Sequence, residues 1–104
     1  MATSETVALS LPDGYAKGPP DAFIDDHEFC HIHPPPHGSL HLILPRRIGE
    51  VADRLGWAET HAIAKVGMLP DTIMLAYAPR NEQELEVVLF LVTASYEFAR
   101  GRLT

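Results

Sequence analysis

Alternating apolar and polar positions define two short segments in the first half of the chain, residues 28–33 and residues 39–44. A period of two residues is typical of half-buried strands. The cluster of prolines and a glycine between the segments, residues 34–38, is typical of a turn. The pattern therefore predicts an antiparallel hairpin.

This hairpin contains four of the six histidines of the chain. Because successive side chains of a strand point to opposite faces, Phe29, His31 and His33 are predicted to share one face. On the second strand, His41 is predicted to lie opposite a row of leucines, Leu40, Leu42 and Leu44. Pairing of the strands then brings His31, His33 and His41 together near the loop that carries His37.

Two later segments show the helical period of three to four residues. The first covers residues 46–55, between Pro45, which suits a helix start, and Gly56, which suits a helix end. The second covers residues 81–102 and begins with a capping-box spacing. Its predicted core positions are Leu85, Val88, Leu89, Val92, Tyr96 and Ala99, and Val87, Phe90 and Leu91 widen its apolar surface. The width predicts a second contact for this helix, either with the N-terminal arm or with another subunit in a homodimer.

Strand-like runs also occur over residues 57–63 and 72–78. Residues 1–21 are rich in glycine and proline and are predicted to form a flexible arm, with a short edge strand over residues 7–11. The domain proper is predicted to cover residues 22–104. This order of elements favours an α+β fold, a two-layer sandwich in which a mostly antiparallel sheet carries both helices on one face.

The composition excludes several classes of function. The chain has 104 residues, 46% of them apolar, and a net charge of −6 with neutral histidines. An acidic chain without a basic cluster is not expected to bind nucleic acid, and no apolar run is long enough for a membrane span. A single cysteine and the lack of a signal-like N-terminus predict a cytoplasmic protein.

The histidines permit two kinds of site. Imidazole nitrogens from His31, His33, His37 and His41 suit a divalent transition metal such as zinc, iron, copper or nickel. Alternatively, the histidines are hydrogen-bonded members of the sheet, or they exchange protons near neutral pH with a bound molecule.

Two further places could contribute to a site. Glu59 and His61 are two residues apart on a predicted strand, which puts them on one face with Trp57, although an exposed, solvated strand shows the same pattern. Tyr77 and Arg80 lie at a junction between a strand and a helix. Arg80 there can bind an anion, or it can pair with a glutamate of the helix that follows.

The chain resembles the small bacterial luciferase-domain proteins, which are similar to part of the luciferase of bioluminescent fungi. The resemblance covers residues 26–100 and rests on several short motifs: E-F-C-H-I-H, H-G-S-L-H-L-I-L-P, G-W-A-E-T-H, M-L-A-Y-A-P-R-N, and E-L-E-V-V with A-S-Y-E-F-A. It places these residues at characteristic positions of the family: His31, His33, Ser39, His41, Trp57, Glu59, His61, Tyr77, Pro79 and Arg80.

The resemblance implies that a small aromatic or enolisable molecule binds to the histidine-lined sheet face. It also implies an oxygenase that needs neither a flavin nor an obligatory metal, in which a base forms an enolate that reacts with dioxygen. On this hypothesis His31, His33 and His41 act as base and binding groups, and Arg80 or Tyr77 holds the anion. The substrate contacts would come from Ser39, Trp57, Glu59, His61 and Tyr77. A histidine-rich metal-binding module and a non-enzymatic interaction domain remain as alternatives.

Overall fold

The structure, a computed structural model, describes residues 6–61, 67 and 70–104. Five antiparallel strands form one sheet in the order β1-β2-β3-β5-β4. The strands are β1 (Val7–Ser10), β2 (Glu28–Ile32), β3 (Leu40–Ile43), β4 (Ala58–Thr60) and β5 (Ile73–Ala76). The helices are α1 (Arg46–Arg54), α2 (Glu82–Ala99) and a short 3-10 helix (Pro20–Ala22). The predicted α+β sandwich is confirmed.

Both helices cover the same face of the sheet, which we call the helix face. Its central row crosses three strands, because Cys30 pairs with Leu42 and Leu42 pairs with Met74. These side chains are buried and pack in one cluster with Ala52 of α1 and Val88 of α2. The leucine row that alternation predicts for the second strand of the hairpin therefore lies in the core.

The ends of α1 follow from its flanking residues. The helix starts directly after Pro45, whose fixed φ suits the first turn of a helix. Gly56 follows the helix with a φ of +84°, a conformation that favours glycine. The predicted helix over residues 46–55 is thus confirmed at Arg46–Arg54.

Helix α2 begins as predicted, since the Asn81 side chain accepts a hydrogen bond from the Glu84 backbone N–H at 2.9 Å. The prediction of its core positions was partly wrong. Leu85 and Leu89 are exposed, whereas Leu91, which was placed off the core row, is buried. The observed buried row is Val88, Leu91, Ala94, Ser95, Phe98 and Ala99. The six consecutive apolar residues 87–92 surround the helix, so the sequence period could not identify the inner side.

The N-terminal segment packs on the sheet and on α2. β1 pairs with β2 and confirms the predicted edge strand. Farther along, the Gly18 N–H donates a hydrogen bond of 2.8 Å to the Ala99 carbonyl oxygen. A Cβ atom on Gly18 would overlap the Phe98 carbonyl oxygen, so this close approach requires glycine. The first five residues of the predicted arm lie outside the described residues, as do residues 62 and 63 of the strand predicted over residues 57–63.

Candidate functional site

The sheet face opposite the helices carries three neighbouring histidines, His31, His33 and His41, and we call it the histidine face. Strand register brings two of them together, because His31 pairs directly with His41. The same row continues through Leu75 to Glu59, across β5 and β4. All three histidines are partly buried. The convergence predicted from strand alternation is therefore present.

A bulge in β2 changes which neighbours these histidines have. Leu9 pairs with Cys30 but the next residue, Ser10, pairs with Glu28, so Phe29 is an extra residue in the β2 ladder. Phe29 is buried and its ring meets the Tyr96 ring of α2 edge to face. The prediction that Phe29 shares the face of His31 was wrong because strict alternation fails at a bulge.

The bulge gives Glu28 a place on the histidine face, which alternation had not predicted. Its carboxylate oxygen Oε2 lies 2.8 Å from Nδ1 of His31. A spacing of three residues puts two side chains of a regular strand on opposite faces, so no feature of the sequence identified Glu28 as part of the site. Pairing Glu28 with His31 orients the imidazole and directs its Nε2 atom toward the other histidines.

A chain of short contacts joins the four side chains. Nε2 of His31 lies 2.9 Å from Nδ1 of His41, and Nε2 of His41 lies 3.3 Å from Nε2 of His33. One assignment of protons satisfies every contact when all imidazoles are neutral: His31 donates to Glu28, His41 to His31, and His33 to His41. This chain can pass a proton from His33 to His31.

The surroundings keep the inner histidines neutral. Burial, followed by the nearby His61, His31 and His33, lowers the pKa of His41 to about 4. The pKa of His33 is also lowered, first by burial and then by the neighbouring histidines. The His61 ring packs edge-on against His41 with 4.2 Å between ring centroids. At neutral pH His33 and His41 are therefore neutral imidazoles, each with one nitrogen that can accept a proton.

The same nitrogens could instead hold a metal ion. His31, His33 and His41 each offer one ring nitrogen such that the three atoms lie within 4.8 Å of one another. Hydrogen bonding of His31 to Glu28 matches the carboxylate–histidine pairing common behind metal ligands. His37, the fourth predicted ligand, is exposed in the hairpin loop and does not belong to this three-residue group.

Glu59 and Tyr77 mark the edge of the histidine face. The Tyr77 hydroxyl donates a hydrogen bond of 2.6 Å to Oε1 of Glu59, and this bond raises the pKa of Tyr77. The backbone N–H of His61 donates to the Ile73 carbonyl oxygen, which extends the pairing of β4 and β5 by one residue. Two residues of the predicted site, Glu59 and Tyr77, are thus brought into direct contact.

Arg80 lines a pocket of about 320 Å³ to which His31, His33 and His41 do not contribute. Its Nε and Nη2 atoms donate to the Glu84 carboxylate, and this hydrogen bonding lowers the pKa of Glu84. Trp57 and Tyr77 line the same pocket. The pairing of Arg80 with a glutamate of the following helix, one of the two alternatives for this residue, is present.

Trp57 does not follow the face predicted for it. It lies directly before the first residue of β4, Ala58, and its carbonyl oxygen accepts a hydrogen bond of 3.2 Å from the Tyr77 N–H. The indole packs against the main core cluster with Ile48 of α1. Ser39 lies just before β3, where its carbonyl oxygen accepts a hydrogen bond of 2.9 Å from the His33 N–H. That bond closes the hairpin next to the histidines.

Comparisons with known proteins find one family and several relatives. The family model described as "Luciferase domain" matches residues 26–95. Proteins named "Luciferase" from Armillaria gallica and Neonothopanus nambi are each 37% identical over 70 residues, which is 65% of this chain and 26% of theirs. The chain thus corresponds to about a quarter of the length of these curated relatives. No solved structure matches significantly.

The matched segment contains the whole histidine cluster and its supporting strands. Residues 26–95 include Glu28 and the three clustered histidines, and they also include the Arg80 pocket. Within the described part of the chain, neither helix is both long and apolar enough to cross a membrane.

Proposed function

Because the chain belongs to the luciferase-domain family, we propose that it binds a small aromatic or enolisable molecule on the histidine face and removes a proton from it. The hydrogen-bonded chain from Glu28 through His31 and His41 to His33 is the observation that supports this function. Histidines are effective general bases near neutral pH when they start neutral.

The proton transfer can be written step by step. Nδ1 of His33 accepts a proton from the bound molecule, and Nε2 of His33 passes its own proton to Nε2 of His41. His41 then passes the proton on its Nδ1 to Nε2 of His31. The positive charge comes to rest on His31, where the Glu28 carboxylate stabilises it. The bound molecule is left as an enolate.

The oxygenase activity is part of the same proposal. An enolate is electron-rich and can react with dioxygen without a flavin or a metal, as the resemblance to the fungal luciferase implies. The proposed substrate contacts are Ser39 and His61 beside the cluster, and Glu59, Tyr77, Trp57 and Arg80 beyond it. His41 and Glu59 are two strands apart, a separation of about 10 Å, so only an elongated molecule contacts both groups.

The experiment uses a hydroxylated 2-pyrone as the probe and follows its enolate absorbance and the uptake of dioxygen. We expect the parent to bind the probe and shift it toward the enolate, and we expect His41→Ala to lose this effect. His27→Ala is the matched control, because His27 pairs with Asp13 outside the cluster. Circular dichroism confirms that each variant is folded.

Equal binding of the probe by His41→Ala and the parent would reject the histidine face as the binding site. Binding and enolate formation without dioxygen uptake would reject the oxygenase activity and leave the binding function. Measurement in the presence of a chelator ensures that metal ions do not contribute to either signal.

The second candidate function is metal binding without turnover. It is favoured by the three ring nitrogens within 4.8 Å of one another. Elemental analysis of untagged protein, before and after addition of zinc or another divalent transition metal, tests it. One metal per chain is the expected result, and Glu28→Gln should weaken the affinity about 10- to 100-fold. No bound metal after supplementation would exclude this function.

A further inference from the structure

Helix α2 is apolar around its whole circumference between residues 87 and 92. A helix advances about 100° per residue, so six consecutive apolar residues cover every side. Val88 and Leu91 face the core, but Leu89 and Phe90 are 54% and 64% exposed. A helix that is apolar on all sides is normally covered on all sides. In the described part of the chain, the outer side of α2 around Leu89 and Phe90 is therefore not covered, although its sequence is typical of a covered helix.

Helix α1 completes an apolar groove beside this exposed side. The groove has a volume of about 330 Å³. It is lined by Arg47, Ile48, Val51, Ala52, Leu55, Trp57, Val87, Phe90 and Leu91. Leu55, which lines the groove, is 63% exposed. Exposing a leucine does not stabilise an isolated monomer. Both helices thus contribute to one contiguous apolar surface, which we call the groove surface.

The charges around the groove surface are complementary to each other. Among the described residues that line the groove, only Arg47 is charged, and the acidic residues of α1, Glu50 and Asp53, line a different pocket on the other side of the helix. Helix α2 exposes Glu86 four residues before Phe90, on the same row of the helix surface. If Phe90 enters the groove of another chain, Glu86 therefore comes close to that groove as well.

We propose that the groove surface binds a second copy of this chain in a two-fold symmetric dimer. Phe90 of each copy enters the groove of the other, and Glu86 then lies close to Arg47 of the other copy. A two-fold axis repeats both contacts, so the same patch serves both chains. The occupant is a second copy because one chain supplies both partners of each contact. It supplies Phe90 and the groove that accepts it, and it supplies Arg47 and Glu86.

Sedimentation equilibrium at high micromolar concentration tests the proposal. The parent should have a mass of about 23 kDa, twice the 11.5 kDa of one chain. Phe90→Asp should raise the dissociation constant at least about tenfold, since a carboxylate would then enter an apolar groove. Arg47→Glu should also weaken the dimer, and the addition of Glu86→Arg to that variant should restore it.

Val7→Asp is the matched control, because Val7 is similarly exposed but lies on the edge strand β1. The control should dimerise like the parent. Loss of the dimer in Val7→Asp would show that β1 edges pair instead and would overturn the proposal. A parent that stays monomeric, or a Phe90→Asp variant that still dimerises, would also overturn it. Thermal unfolding of each variant, followed by circular dichroism, distinguishes a folding defect from dissociation of the dimer.

Discussion

Acid should destabilise this fold through His41 in particular. The folded protein lowers the pKa of His41 to about 4, whereas an unfolded chain has a pKa near the ordinary value of about 6.5. Between these values the unfolded state binds more protons than the folded state, so the free energy of unfolding decreases as the pH decreases. The contribution of His41 to the free energy of unfolding is fully present above about pH 6.5. It is lost as the pH falls toward 4.

The magnitude follows from the size of the shift. A difference of about 2.5 pKa units corresponds to at most about 3.4 kcal/mol. Because the imidazole is only partly buried, solvent screening reduces the expected contribution to about 1–2 kcal/mol. The pKa of His33 is also lowered, so His33 adds a smaller loss of folding stability as the pH falls.

Urea unfolding of the parent and His41→Gln between pH 7.5 and pH 4.5, with a chelator present, measures this contribution. Glutamine cannot titrate, so the variant should lose about 1–2 kcal/mol less stability than the parent over this pH range. His27→Gln is the matched control, because it replaces a histidine that lies outside the cluster. Parallel curves for the parent and His41→Gln would refute the argument that His41 is held neutral.

Substitutions at three further positions test how the fold is held together, each by thermal or urea unfolding. Gly18→Ala should cost about 1–3 kcal/mol, since its Cβ would overlap the Phe98 carbonyl oxygen; an unchanged midpoint would contradict the close approach. Asn81→Ala should cost about 1 kcal/mol and Asn81→Ser much less, because serine also caps a helix N-terminus; equal losses would argue against the cap. Leu42→Ala should cost about 2–5 kcal/mol at the centre of the core, and a loss below 1 kcal/mol would contradict its complete burial.

The sequence was sufficient to predict the elements because their signals were local. Alternation in the hairpin, Pro45 and Gly56 around α1, and the Asn81 cap of α2 each depend on neighbours in the chain. Alternation also predicted the convergence of His31 with His41, since a hairpin fixes which residues face each other.

The remaining features depended on contacts that a local pattern does not contain. The bulge at Phe29 follows from how β1 pairs with β2, and the side of α2 that faces inward follows from packing against the sheet. Glu28 was missed because of the bulge. The pairing of Arg80 with Glu84, and the pocket that it lines together with Tyr77, also depend on contacts made only in the folded chain.

The thiol of Cys30 shows a case in which the sequence argument was sufficient. Strand alternation puts its side chain on the face opposite His31, and it is fully buried on the helix face. Burial, followed by the nearby Glu28 carboxylate, raises the pKa of the thiol to about 12. Cys30 therefore stays protonated and unreactive at neutral pH.

The extra residue in β2 gives neighbouring positions of one strand different roles. Because Leu9 pairs with Cys30 and Ser10 pairs with Glu28, Glu28 occupies the ladder position next to Cys30 and lies on the opposite face, beside His31. Deleting Phe29 would restore a regular ladder with Glu28 two residues before His31, so the carboxylate would stay on the histidine face. One lost codon would thus remove an aromatic anchor from under α2 and leave the acid beside the imidazoles.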